Sequence, residues 1–153
     1  MKKSGFEQIV DKSLWSLEAK YGFKKVDTKF HQHGCTVRFQ NTTTEVVLNY
    51  EIGEVPWFTL ANIKNPETER ISLDWLLVER NQIPSPSVES AFSPPELDES
   101  LVADSVQKQV NQMLEFGPEL LKGDFGILPT LQKRADQYLV ECKRFAEMHK
   151  DKA

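Results

Sequence analysis

No stretch of this sequence approaches the roughly 20 consecutive apolar residues that carry a helix across a bilayer, so a helical membrane span is not expected. The opening, MKKSGFEQIVDKSLW, is basic at first but puts acidic residues where a secretory signal needs its hydrophobic segment. A cytoplasmic location is therefore expected. Positive charge is not in surplus: 19 lysines and arginines face 23 aspartates and glutamates, a net charge of −4. Without a clustered basic surface to release counterions from phosphates, nucleic acid is not an expected partner. Cysteine is scarce, and Cys35 and Cys142 lie so far apart that reduced thiols suit them better than a disulfide framework. The glycines at 117, 123 and 126 fit neither G-x-G-x-x-G nor G-x-x-x-x-G-K, which removes the common phosphate loops. No glycine-flanked serine and no paired-carboxylate motif is present, so neither catalysis nor a cofactor is expected.

What the chain does have is alternation. Its 153 residues, 39% apolar and 27% charged, are enough for one domain with a real core. From Cys35 to Ile63, apolar and polar side chains alternate in three runs separated by turn-like residues, the pattern of an antiparallel meander. Val37, Phe39, Val46, Leu48, Tyr50, Ile52, Phe58 and Leu60 share one face. Arg38, Gln40, Val47, Asn49, Glu51, Trp57 and Thr59 share the other. A preceding period-two run, Val26 to Phe30, adds a fourth strand, with His31 to Gly34 as the turn.

Around this meander the periodicity is helical. Ser4-x-x-Glu7 has the spacing of a capping box and predicts a helix from about Gly5. Its stripe is Phe6, Val10, Leu14, Leu17 and Tyr21, and Gly22 is the expected stop, with Phe23 packing back. Ser72 predicts the cap of a short helix burying Leu73, Leu76 and Leu77 and ending at Asn81. Residues 82–99 contain Pro84, Pro86, Pro94 and Pro95 and read as a loop, which Ile83, Val88 and Phe92 are able to clip to the body. Beyond it, Val102, Val106, Val110, Met113 and Leu114 form a helical face, and Gly117-Pro118 breaks the helix before Leu120 and Leu121. Gly123 stops that piece, and Asp124 is the expected cap of a last helix. That helix carries Leu128, Leu131, Ala135, Tyr138, Cys142, Phe145 and His149 at three-and-four spacing, a stripe for its own sheet or a neighbouring helix rather than for a second copy. The expected fold is α+β: an N-terminal helix, a four-stranded antiparallel meander and a short helix over 1–81, a proline-rich loop over 82–99, and two to three helices over 100–149 packed on the sheet. Trp15 and Trp75 are expected in the core.

The chemically suggestive residues are few. His31, His33 and Cys35 alternate, so on one extended strand they would project to one side and offer imidazole and thiolate to zinc. A structural site needs a fourth ligand, and Gly34 suggests a turn, so a hairpin tip is the preferred reading and no metal is expected. Lys24, Lys25 and Lys29, interrupted by Asp27, read as charges guarding a sheet edge. From Asn65 to Asp104, nine carboxylates including Glu67, Glu69 and Asp74 face only Arg70 and Arg80, which predicts a negative surface able to steer a cationic partner. Trp57, outward beside Thr59, Asn49 and Glu51, is the candidate anchor of a protein interface, provided no helix covers it.

The order of helix, meander and helices, with YGF at 21–23 closing the first helix and TEVVLNYE at 44–51, resembles small bacterial α+β proteins of the toxin-immunity type. That resemblance implies a non-catalytic binding protein that occludes a toxin, often setting an acidic face against a basic nuclease. The segment LLVERN at 76–81 is also similar to one in acidic secretion chaperones, although those continue into further strands where residues 100–149 here read as helical. The leading expectation is thus a monomeric, cytoplasmic protein-binding module, an immunity or inhibitor protein for a basic toxin or effector. Its partner-binding residues would be Trp57, Glu51, Asn49, Arg38, Glu67, Glu69 and Asp74. The alternatives are a secretion chaperone, or an enzyme or metal protein using His31, His33 and Cys35.

Overall fold

A computed structural model describes residues 3–92 and 95–150. Helix α1 spans Lys3–Tyr21 and is already formed two residues before the start expected at Gly5. The Ser4 side chain of the anticipated capping box lies outside the described residues. Phe6, Val10, Leu14 and Leu17 are buried along one stripe, as their spacing predicts. Trp15 is not in the core. It is 67% exposed, because each helical residue turns about 100° from the last and Leu14 already occupies the stripe. Gly22 closes the helix at φ +70°, a backbone conformation open to glycine, and the chain turns so that Phe23 enters the core.

The sheet has five antiparallel strands among the described residues, in sequence order: β1 Lys24–His31, β2 Gly34–Gln40, β3 Thr44–Glu51, β4 Trp57–Asn62 and β5 Ile71–Ser72. The fifth is an addition to the expected meander. At two residues it is too short to show a period, and it is defined only by pairing Thr59 with Ser72 and Leu60 with Ile71. The register Val37–Leu48–Phe58 and Phe39–Val46–Leu60 aligns the apolar residues of three strands on one face, all of them buried. Ile52 falls outside this set: β3 ends at Glu51, and Ile52 is exposed in the turn that follows. The register between β1 and β2 shifts between Lys25 and Asp27, leaving Val26 exposed in a bulge on the outer edge.

Helix α2, Leu73–Glu79, starts at Ser72 as expected; Ser72 Oγ accepts the backbone N–H of Asp74 at 3.3 Å. Replacing Ser72 with alanine should cost about 0.5–1 kcal/mol in a urea unfolding titration, the value of one N-cap. Asn81 ends the segment at φ +60°. Helix α3, Val102–Phe116, buries Val102, Val106, Val110 and Met113. After the break at Gly117, Pro118 opens the one-turn helix α4, Pro118–Leu121, and Gly123 stops it at φ +95°. The last helix, α5, spans Leu128–His149. Asp124 does not cap it. Its carboxylate instead accepts the N–H of Gly126 at 3.0 Å, a local turn that places the start of α5 four residues downstream.

Only Leu128 and Leu131 of the α5 stripe are buried; Ala135, Tyr138, Cys142 and Phe145 are half-buried. They meet α2 and the proline-rich segment, with Tyr138 edge-on to a half-buried Trp75 at 5.4 Å and Phe145 against Phe92 at 5.3 Å. Ser93 and Pro94 lie outside the described residues. The rest of the segment is clipped down by a 3₁₀ turn at Val88–Ala91, a bridge between Glu54 and Glu96, and the bond from Leu97 N–H to Gly53 O at 2.9 Å.

One polar cluster ties helix ends to the sheet. Asn41, in the β2–β3 turn, donates through Nδ2 to the carbonyls of Tyr21 at 3.0 Å and Leu121 at 2.9 Å, at the ends of α1 and α4. Its Oδ1 accepts the N–H groups of Thr43 and Thr44 at 2.9 and 2.8 Å. Beside it the buried Thr44 hydroxyl donates to Leu120 O at 2.6 Å.

Candidate functional site

The open sheet face is the candidate site. Buried side chains from each of α1 to α5 join the inward residues of β2, β3 and β4 in one core cluster. The outward residues stand apart from it; even Val47, which is buried, does not belong to that cluster. The condition set by the sequence for an outward Trp57 is therefore met: the helices pack behind Val37, Leu48 and Phe58.

Cross-strand register arranges the outward side chains in rows. Lys29, Thr36, Asn49 and Trp57 form one; Asp27, Arg38, Val47, Thr59 and Ser72 form the next; Gln40, Glu45 and Ala61 form a third. Trp57, at the start of β4, is 36% exposed, enough indole to contact a partner while the rest is held by the protein. Glu51 lies at the far end of β3, opposite Gly34, with its carboxylate 3.8 Å from His31 Nε2.

The electrostatic centre of this face is a residue the sequence reading passed over. Glu45 is buried, and its carboxylate accepts from Arg38 Nε and Nη2 at 3.2 and 2.7 Å, from Gln40 Nε2 at 2.5 Å, and from Arg70. Desolvation pushes its pKa up, but the hydrogen bonds from Gln40, Arg38 and Arg70 outweigh it and hold the carboxyl below its ordinary value. The hairpin register contained the signal: once Gln40 pairs with Glu45, Arg38 lies two residues along the same face. Arg38 is thus a clamped residue of the surface rather than a free cation.

The acidic residues of the 65–104 stretch do not share this face. Glu67 and Glu69 are exposed in the β4–β5 loop, at the mouth of a recess of about 400 Å³ walled by Phe125, Leu128 and Pro129. Asp74 lies elsewhere, in the first turn of α2, in a cleft that Trp57 also lines. The two arginines of the acidic stretch are consumed internally, Arg70 by Glu45 and Arg80 by Glu119, while Glu79 is paired with Arg134 of α5 at 2.5 Å. The structure thus brings together Arg38, Asn49 and Trp57, sets Glu51 and Asp74 at the margins, and separates Glu67 and Glu69.

The possible metal set is dispersed. Gln32 and His33 form the turn between β1 and β2. Cys35 faces the core, where burial, and secondarily Glu7, pushes its thiol up to about 11, far from the thiolate a metal takes. His31 lies on the opposite side with Glu51, so the three side chains do not project to one side as an uninterrupted strand would place them. Among the described residues, no group of three or more His, Cys, Asp and Glu side chains is arranged to hold a metal ion, and no helix is long and apolar enough to cross a membrane. No protein-family model matches the chain, and no curated protein or solved structure is significantly similar to it, so the site stands on its own geometry.

Proposed function

We propose that this chain is a non-catalytic, cytosolic binding protein of the immunity or inhibitor kind, which docks a basic protein partner on the outer face of its sheet. The observation that carries this reading is the uncovered face itself, with half-exposed Trp57 beside Asn49 and Thr59. Such a face combines a rigid aromatic anchor with a strand scaffold that fixes every neighbour, the arrangement in which interface hot spots form. The carboxylates near its Trp57 end, Glu51, Glu54 and Asp74, would favour encounter with a basic surface.

Site-specific photocrosslinking in the native host tests the reading. A photoreactive residue at Thr59 should capture one defined protein, whereas the same group at Gln137, on the exposed side of α5, should not. The purified partner should then bind a Thr59→Arg variant at least about tenfold more weakly, since a bulky charge is forced into a closed interface. Capture of nothing at Thr59, equal capture at both positions, or unchanged affinity of the arginine variant would overturn the assignment.

A further inference from the structure

Beyond the Trp57 end of the sheet the chain forms a cleft of about 370 Å³, between the β3–β4 loop, α2, α3 and the proline-rich segment. Trp57 and Pro56 belong to one wall, and Leu77 and Ile83 supply apolar surface. The rim is held by Gln109, whose Nε2 donates to Pro56 O at 2.7 Å and to Ser105 Oγ at 3.3 Å. Two carboxylates, Asp74 and Glu54, line the same space.

Asp74 is the unusual member. Its carboxylate is open to the cleft, yet among the described residues it has neither an ion pair nor a hydrogen-bond partner. Lys108 also lines the cleft but does not pair with it. Protein crowding around the mouth desolvates the carboxyl and raises its pKa with nothing to offset it. Three other carboxylates of this protein are matched: Glu45 with Arg38 and Arg70, Glu79 with Arg134, Glu119 with Arg80. An unmatched carboxylate that lines one cleft together with an indole and a second carboxylate is a receptor for a flat cation. A guanidinium stacks on indole, is weakly hydrated and so enters a partly dry cleft at low cost, and directs N–H groups to carboxylates at its edge.

We infer that the Trp57–Asp74 cleft is a binding pocket for a guanidinium group. Resting on the docking function above, the natural occupant is an arginine side chain of the partner protein, inserted as that partner covers the sheet face. The cleft lies within the size of small-ligand sites, large enough for an arginine side chain.

The inference is tested with N-acetyl-arginine amide, followed by the indole N–H resonance of Trp57 in two-dimensional NMR, assigned with a Trp57→Phe variant. Arginine amide should shift that resonance saturably, and N-acetyl-citrulline amide, its uncharged isostere, should not. Asp74→Asn should weaken arginine binding by about fivefold or more, and Glu54→Gln should weaken it as well. Both variants keep the shape of the side chain, and the dispersion of their spectra reports that they are folded. Equal shifts from arginine and citrulline, no saturable shift from arginine, or unchanged binding in folded Asp74→Asn would overturn the pocket. Thr59 does not line the cleft, so Thr59→Arg should leave arginine binding intact. Failure of crosslinking with retained arginine binding would therefore sink the docking function and leave the pocket; the reverse result would sink the pocket alone.

Discussion

Asn41→Ala is expected to lower the free energy of unfolding by about 3 kcal/mol, the effect of several half-buried hydrogen bonds lost together at about 0.5–1.5 kcal/mol each. The side chain satisfies the carbonyls of Tyr21 and Leu121, which come from helix ends and lack partners further along their own helices. It also holds the turn to β3 through the N–H groups of Thr43 and Thr44. Alanine leaves both sets unpaired in a place where water enters poorly, because Gly123 is packed so closely on the Thr43 side chain that a Cβ there would lie 2.6 Å from Thr43 Cβ. Asn41→Asp separates the two roles. It keeps an acceptor for the turn but sets carboxylate oxygen against two carbonyl oxygens, so at neutral pH it should be worse than alanine. For a chain of this length, a 3 kcal/mol loss corresponds to a fall in melting temperature of roughly 6–12 °C, measurable by circular dichroism. A drop smaller than about 1 kcal/mol in urea titrations, or an aspartate variant more stable than the alanine one, would show that the turn does not bind the helices.

The second large effect is at Glu45. Removing one partner of a fully buried ion pair costs about 3–5 kcal/mol, but Arg38 and Arg70 are 39% and 38% exposed and rehydrate when freed, so Glu45→Gln should cost about 2 kcal/mol at pH 7. The pH dependence gives this number a signature. The folded-state pKa of Glu45 lies below its ordinary value, so its ionisation contributes stability in full above the unfolded-state pKa and loses that contribution as pH falls through the folded-state one. The stability gap between wild type and Glu45→Gln should therefore be constant from neutral pH down to about pH 5 and then close on further acidification. A gap independent of pH would mean that the glutamine disturbs packing rather than charge.

Much of this architecture is readable from the chain because strand alternation survives translation into three dimensions. Val37, Leu48 and Phe58 are placed on one face by period alone, and the same period turns Trp57, Asn49 and Thr59 away from them. Period carries no information where elements are too short or irregular. Strand β5 has two residues, and the loop bearing Glu67 and Glu69 has no repeat, so a carboxylate count over that stretch misses that its charges point to different places. Trp15 shows a different limit: hydrophobicity argued for the core, whereas the angular position one residue past Leu14 decides against it. Asn41 and the Arg70 partner of Glu45 were hidden for a third reason. Their partners lie up to 80 residues away, and only the tertiary fold brings Leu121 to a turn and Arg70 to a hairpin.

The edges of the sheet limit how it is able to grow. On one side, β1 presents a bulge at Val26 flanked by Lys24, Lys25 and Lys29; on the other, β5 offers two residues before the chain turns into α2. The bulge and lysines on β1 and the brevity of β5 both oppose pairing with a sixth strand. Strand addition is disfavoured at both edges. Docking on the proposed sheet face would then use side chains alone, which a lineage is free to exchange one at a time without unpicking a single rung of the backbone ladder.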